Sequence, residues 1–220
     1  MQPEIICFGE TLFDVLPDGA VPGGAPMNVA IHLQYHSHSP LVISRVGKDS
    51  AGIELIRFLQ EKGLTTEHIQ QDEIHQTGLV VADVSNKTQV VYNIVEQVAW
   101  DYISYDENLA AIVKESEVFI YGSFASRNKI SREALLKYLP KAKLKIFDVN
   151  LRAPHYTPEG IRELLAYADI IKMNHHELAE ISAWYGVSLN EKESMQYLRK
   201  QLNKKMLMVT RGRKRCSLHN

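Results

Sequence analysis

Apolar positions along this chain follow two rhythms. Short, nearly continuous apolar runs occupy Ile5 to Phe8, Leu41 to Val46, Val118 to Tyr121, Lys145 to Val149, Ile170 to Met173 and Met206 to Thr210. Runs without polar alternation fit strands covered on both faces. Between them, apolar residues recur at helical spacing over Ala25 to His36, Ala51 to Lys62, Asn108 to Glu115, Arg132 to Tyr138, Pro158 to Ala168, His175 to Tyr185 and Glu191 to Asn203. Two of these helices carry start signals. Thr157 sets a capping hydroxyl before Pro158, and Asn190 with Glu193 reads as a capping box. The alternation predicts an α/β fold, a doubly wound and mostly parallel sheet.

One region breaks the rhythm. Thr77 to Val84 and Gln89 to Val95 are β-rich runs joined by Ser85-Asn86-Lys87-Thr88, a hairpin pattern. A hairpin does not belong inside a right-handed series of parallel crossovers, so it is expected to project from the core. With residues 11–21 it would form a small β lid over the mouth of a site. No repeat or long linker interrupts the chain, and residues 1–220 read as a single domain.

Composition narrows the function classes. The chain is 45% hydrophobic and 23% charged, with a formal net charge of −1. No global field favours nucleic acid or an anionic membrane, and no apolar run has the length of a membrane span. Cys7 falls in a predicted buried strand and Cys216 in a polar tail, which is no disulfide framework. The expected compartment is a reducing cytoplasm.

Candidate chemistry starts at Pro22-Gly23-Gly24-Ala25-Pro26-Met27-Asn28, just after Asp14. Adjacent glycines let the backbone approach a ligand closely. A carboxylate at Asp14, bare amides at Gly23 and Gly24, and the Asn28 amide together suit a polyhydroxylated molecule such as a sugar. An ordinary loop opening a helix reads equally well from this segment alone. Asn174 and Glu177 open a helix after a strand. They fit a capping box, and they equally fit the strand-end position where anionic ligands and their magnesium sit. In Asp148-Val149-Asn150-Leu151-Arg152, strand alternation places Asp148, Asn150 and Arg152 on one face, with Arg152 suited to phosphate. His32 and His36 lack a third metal ligand nearby, and His175 and His176 point apart. The basic residues Arg211 to Arg215 read as a solvated tail. There is no G-x-G-x-x-G after the first strand and no P-loop.

Five motifs in order carry a family resemblance: Gly23-Gly24-Ala25-Pro26-Met27-Asn28-Val29-Ala30, Val46-Gly47-Lys48-Asp49-Ser50-Ala51-Gly52, Phe147 to Arg152, Lys172 to Glu177, and Val209-Thr210-Arg211-Gly212. The chain resembles the ribokinase-like (PfkB) carbohydrate kinases, closest to bacterial fructokinases through Tyr121-Gly122-Ser123-Phe124-Ala125-Ser126-Arg127 and the Asp-x-Asn-x-Arg segment. The resemblance implies ATP-dependent phosphorylation of a sugar hydroxyl, with Mg2+. It places the sugar on Asp14, Gly23, Gly24 and Asn28. The nucleotide and its phosphates would fall to Arg152, Lys172, Asn174, Thr210 and Gly212, and the metal to Glu177. It also implies a lid that closes on the sugar and pairs two copies as a homodimer. The family's Gly-Ala-Gly-Asp-like segment, which supplies the proton acceptor and the anion cradle, is expected beyond residue 220. No catalytic base is therefore assigned, and this chain is expected to be C-terminally truncated and largely inactive. The alternative is a non-catalytic sugar-binding remnant or interaction protein. Arg213 to His219 departs from the family's usual Glu-Lys-Gly-Ala-Leu-Tyr-like run. Codons AGA AAA AGG TGC TCT CTA CAC encode the observed residues and, with the first base dropped, encode that run. A single-base shift near codon 213 is the expectation that follows.

Overall fold

The structure is a computed structural model that describes residues 3–83, 91–212 and 216–219. Every apolar run singled out above is a strand of one large sheet. These are β1 (Ile5–Phe8), β4 (Pro40–Gly47), β8 (Val118–Gly122), β9 (Leu144–Asp148), β10 (Ile170–Asn174) and β11 (Met206–Thr210). Two further strands complete it: β5 (Ile69–Asp72) and β12 (Cys216–His219). The order across the eight strands is β12-β11-β10-β9-β8-β1-β4-β5. All neighbours pair in parallel except β12, which runs antiparallel to β11 with Thr210 opposite Cys216. Residues Cys216 to His219 thus form an edge strand, in the segment where Cys216 read as part of a polar tail.

The helices are α1 (Ala25–Tyr35), α2 (Ser50–Glu61), α3 (Glu107–Glu115), α4 (Lys129–Tyr138), α5 (Pro158–Tyr167), α6 (His175–Trp184) and α7 (Glu191–Gln201). Thr157 and Asn190 cap α5 and α7 as the sequence predicts, although for α7 only the Asn190 half of the expected capping box is formed. Thr157 accepts from the Gly160 amide at 3.1 Å, and Asn190 accepts from the Glu193 amide at 3.0 Å. α4 begins earlier than its apolar spacing suggested because Asn128 caps it through the Ile130 amide.

Alternation along the central strands divides the core in two. Ile6 and Phe8 of β1 join one cluster with Phe119, Tyr121, Tyr138 and Phe147, while Cys7 faces Met27, Val42, Leu55 and Leu59 on the other side. Between β1 and β8 the strand order reverses: β4 and β5 extend one way from β1, and β8 to β11 the other. Such a reversal leaves a crevice at the carboxyl ends of the strands, where α/β sheets bind ligands.

A second sheet stands apart. Its order is β3 (Gly19–Gly23), β2 (Leu12–Leu16), β6 (Gly78–Asp83), β7 (Val91–Ile94), with β2 and β6 parallel and the outer pairs antiparallel. The turn Ser85 to Thr88 lies outside the described residues. Asp49 ties the two sheets together. It caps α2 through the Gly52 amide at 2.7 Å and also accepts from the Thr77 amide and hydroxyl at 2.8 and 2.7 Å, just before β6. The Gly-Lys-Asp motif is therefore a packing device at the root of the second sheet. Among the described residues no helix is long and apolar enough to cross a membrane.

Candidate functional site

The chain between β1 and α1 builds one wall of a cavity. Gly24 takes φ +122°, and a side chain there would collide with the Glu10 carbonyl. This turn brings the first amide of α1, Ala25, to 3.1 Å from Glu10 Oε1. A side chain at Gly23 would collide with Asp14 Oδ2, across the β2–β3 pair. The two glycines therefore make room for two carboxylates, one on each side of the turn.

The cavity has a volume of about 650 Å³. Asp14, Gly24, Asn28 and Arg152 all line it, with Glu10 and Asn150 as further polar groups. Its apolar wall comes from both sheets: Val80 and Ile94 from the second, Phe124 from the segment after β8. The position is the crevice at the strand-order reversal. Burial raises the pKa of Asp14, against the opposing pull of Arg152. Burial also raises that of Glu10, to about 7, although the backbone amides and Arg152 favour its charged form.

The Asp-Val-Asn-Leu-Arg segment does not keep the alternation expected of it. β9 stops at Asp148, and Asn150 adopts φ +43°, a left-handed conformation that asparagine tolerates. Asn150 and Arg152 turn to the cavity wall, whereas Asp148 does not line it. Asp148 instead receives both of its hydrogen bonds from Lys172 Nζ, at 2.8 and 2.7 Å. Lys172 thereby has a carboxylate partner on the neighbouring strand.

Asn174 caps α6 by accepting from the amides of His176 and Glu177 at 2.8 and 2.9 Å. Glu177 closes the box through Oε2, which accepts from the Asn174 amide at 2.7 Å. Its Oε1 accepts from the Leu151 amide at 2.9 Å. Both oxygens of this buried carboxylate are thus held by backbone, and no group of three His, Cys, Asp or Glu residues that could hold a metal occurs among the described residues. Thr210 ends β11 opposite Asn174, and Gly212 follows at φ +59°. Asn174, Thr210 and Gly212 therefore gather at the carboxyl ends of β10 and β11, with Lys172 in the middle of β10, all apart from the cavity wall. Gly23 and Glu177 also lie outside that wall.

Sequence reasoning missed Glu10. Its only signal was an acidic residue directly after Gly9 at the end of a wholly apolar strand.

Comparison with known proteins agrees with this architecture. A fructokinase from Xylella fastidiosa with bound ATP superposes with a TM-score of 0.86 at 19% identity, over all of this chain and 72% of that one, a likeness of fold. A sugar kinase from Pyrococcus horikoshii in complex with ATP superposes with a TM-score of 0.81 at 26% identity, over 98% of this chain and 74% of that one. In sequence, a probable fructokinase-5 of Arabidopsis thaliana is 26% identical over 97% of this chain and 72% of its own length. The fructokinase of Escherichia coli is 26% identical over 96% of this chain and 72% of its own. A putative sugar kinase of Pyrococcus horikoshii is 30% identical over 71% of this chain and 53% of its own. The chain thus spans between about half and three-quarters of the relatives it matches. Residues 4–220 match the model of the pfkB family carbohydrate kinases, and the chain belongs to that family.

Proposed function

We propose that this chain provides the sugar pocket and the nucleotide-facing strand ends of an ATP-dependent sugar kinase acting on a hexose such as fructose. The observation that carries the reading is the convergence of Asp14, Gly24, Asn28 and Arg152 on one cavity at the strand-order reversal. Asp14 accepts from sugar hydroxyls, and the Asn28 amide both accepts and donates. Arg152 offers a planar fork of donors at the same mouth, suited to the transferring phosphoryl group. ATP lies across the ends of β10 and β11, against Asn174, Thr210 and Gly212, with Lys172 supplying charge from its pair with Asp148. ATP supplies the phosphoryl group, and catalysis of its transfer is positioning plus electrostatic stabilisation.

Each Glu177 oxygen accepts one backbone amide and keeps a second acceptor position, so Glu177 would meet a magnesium ion carried by ATP directly or through water. Its part in the site is to hold the backbone beside Arg152. Magnesium keeps several waters and suits phosphate oxygens, so ATP carries it into the site. No general base is assigned among the described residues. The second sheet acts as a lid. Leu16 and Val21 are exposed at the cavity mouth and Val81 on the opposite face of the sheet, apolar positions that a second copy of this chain would cover. The competing reading, a non-catalytic interaction protein, draws no specific support from the cavity or the family.

Calorimetric titration of fructose tests the reading. Saturable binding is expected, weakened about tenfold by Asp14→Asn, which corresponds to about 1.4 kcal/mol. A coupled assay for ADP release in the presence of magnesium reads the chemistry. Failure of every hexose to bind the wild-type chain would overturn the proposal.

A further inference from the structure

A buried ion pair stands behind the apolar wall of the cavity. Arg127 directly follows the short helical turn Phe124–Ser126, and Asp101 lies in another, Ala99–Tyr102. Their side chains are 6% and 2% exposed. Arg127 Nε donates to Asp101 Oδ1 and Nη2 to Asp101 Oδ2, both at 2.7 Å. The same Nη2 donates to the Val95 carbonyl at 2.7 Å, one residue after the end of β7. Asp101 Oδ2 also accepts from the Val98 amide at 3.2 Å, in the segment that leaves β7.

Two rings pack on the guanidinium. Its carbon lies 4.0 Å from the Trp100 ring centroid and 4.8 Å from that of Phe124. Trp100 in turn reaches the start of β6, where any side chain at Gly78 would collide with the indole nitrogen. His155 adds a second tie: its Nδ1 is 3.2 Å from Glu96 Oε1, and its ring centroid is 5.8 Å from that of Phe124. The elements that bring Val80, Ile94 and Phe124 to the cavity therefore meet around one guanidinium, although neither Arg127 nor Asp101 lines that cavity.

A buried ion pair returns little net stability, because desolvation offsets the attraction. A planar guanidinium bonded at two points supplies direction instead. Asp101 fixes the plane of Arg127, and Arg127 fixes the Val95 carbonyl and the back of the Phe124 ring. We infer that Arg127 is a positioning residue for sugar binding, which with Asp101 holds Phe124 and the end of β7 where the apolar wall fits a hexose. This assignment rests on the sugar-kinase reading of the same cavity and adds a support that touches no sugar.

The test is a double-mutant cycle read by calorimetric titration of fructose into the 220-residue chain, at a temperature where thermal melts show each variant folded. Arg127→Lys keeps a charge for Asp101 but loses the planar fork that bonds Asp101 and Val95 together. Arg127→Lys and Phe124→Leu should each weaken fructose about tenfold, and the double variant should bind about as weakly as one of them, not about a hundredfold below wild type. A role confined to stability would lower the melting temperature and leave the affinity of the folded protein unchanged. If Arg127→Lys does not fold, Arg127→Met combined with Asp101→Asn leaves no ion buried alone, still lacks the donor for Val95, and should show the same coupling to Phe124→Leu. Unchanged affinity, or losses that simply multiply, overturn the inference. In either case, weakening by Asp14→Asn leaves the sugar reading standing alone. Absence of hexose binding to the wild type removes both.

Discussion

Glu177 holds the backbone of Leu151. Its Oε1 accepts the Leu151 amide at 2.9 Å, while Oε2 closes the capping box on Asn174 at 2.7 Å. A single buried carboxylate therefore joins the start of α6 to the loop that turns Asn150 and Arg152 into the cavity wall. Whatever else Glu177 binds, it is a clamp between two strand ends. Through it, the carboxyl end of β10 is connected to the cavity wall.

Glu177→Ala should leave the Leu151 and Asn174 amides without their partner. Each buried unpaired group costs about 1–3 kcal/mol, so for the two amides a loss of about 2–6 kcal/mol is expected in urea denaturation. Fructose affinity should fall as well, because Arg152 loses its support. A variant as stable as wild type would show that the clamp is not needed.

Gly23→Ala tests the close approach of β3 to Asp14. The added methyl would collide with Asp14 Oδ2, and the carboxylate must swing away. Because the displaced group is the far end of a side chain, stability should change by less than about 1 kcal/mol. Fructose affinity should drop about tenfold. Unchanged affinity would show that Asp14 does not need this position to hold a sugar.

The parallel sheet was legible because strands covered on both faces are nearly continuously apolar, as β1, β8 and β11 are, while β9 and β10 admit Lys145 and Lys172 among their apolar residues. β5 was not legible, since Ile69-Gln70-Gln71-Asp72 is a polar edge strand that borrows its register from β4. β12 was hidden in a basic and polar tail for the same reason. Asp14, Gly24, Asn28 and Arg152 could be picked out as polar or glycine positions in and around short motifs, and the fold brings them to one cavity. Glu10 could not, because its burial is created by α1 folding back onto it from fifteen residues away. Alternation also misled beyond Asp148, where the left-handed Asn150 ends the strand geometry. The apolar wall of Val80, Ile94 and Phe124 exists only once the two sheets meet.

Asp72 should dominate the acid side of the stability profile. Its side chain is 2% exposed, and burial alone would raise its pKa. The amides of His75 and Ile74, the His75 ring and Arg45 outweigh burial and hold the carboxyl well below its ordinary range. A depressed folded-state pKa gives stability that is present above the unfolded value of about 3.9 and is lost as pH falls below it. Asp72→Asn is therefore expected to cost about 2–3 kcal/mol at pH 7 and much less near pH 2. Equal losses at both pH values in urea denaturation would assign the effect to packing and not to charge.

Glu10 should produce the opposite slope in the sugar-free protein. Its pKa rises from 4.5 to about 7 because burial disfavours the charged form. A raised folded-state pKa means that the native state holds the proton more tightly than the unfolded chain. The associated stability is complete below about pH 4.5 and is lost as pH rises through about 7. At about 1.36 kcal/mol per unit, the loss is on the order of 3 kcal/mol by pH 8. Glu10→Gln has no such proton to release, so it should match wild type near pH 5 and exceed it by about 2–3 kcal/mol at pH 8. Asp72 and every other titrating group are common to both proteins, so the difference between the two stability curves isolates Glu10. A difference that stays constant from pH 5 to pH 8 would mean that Glu10 is already ionised in the native cavity, and its proton-holding role would be abandoned.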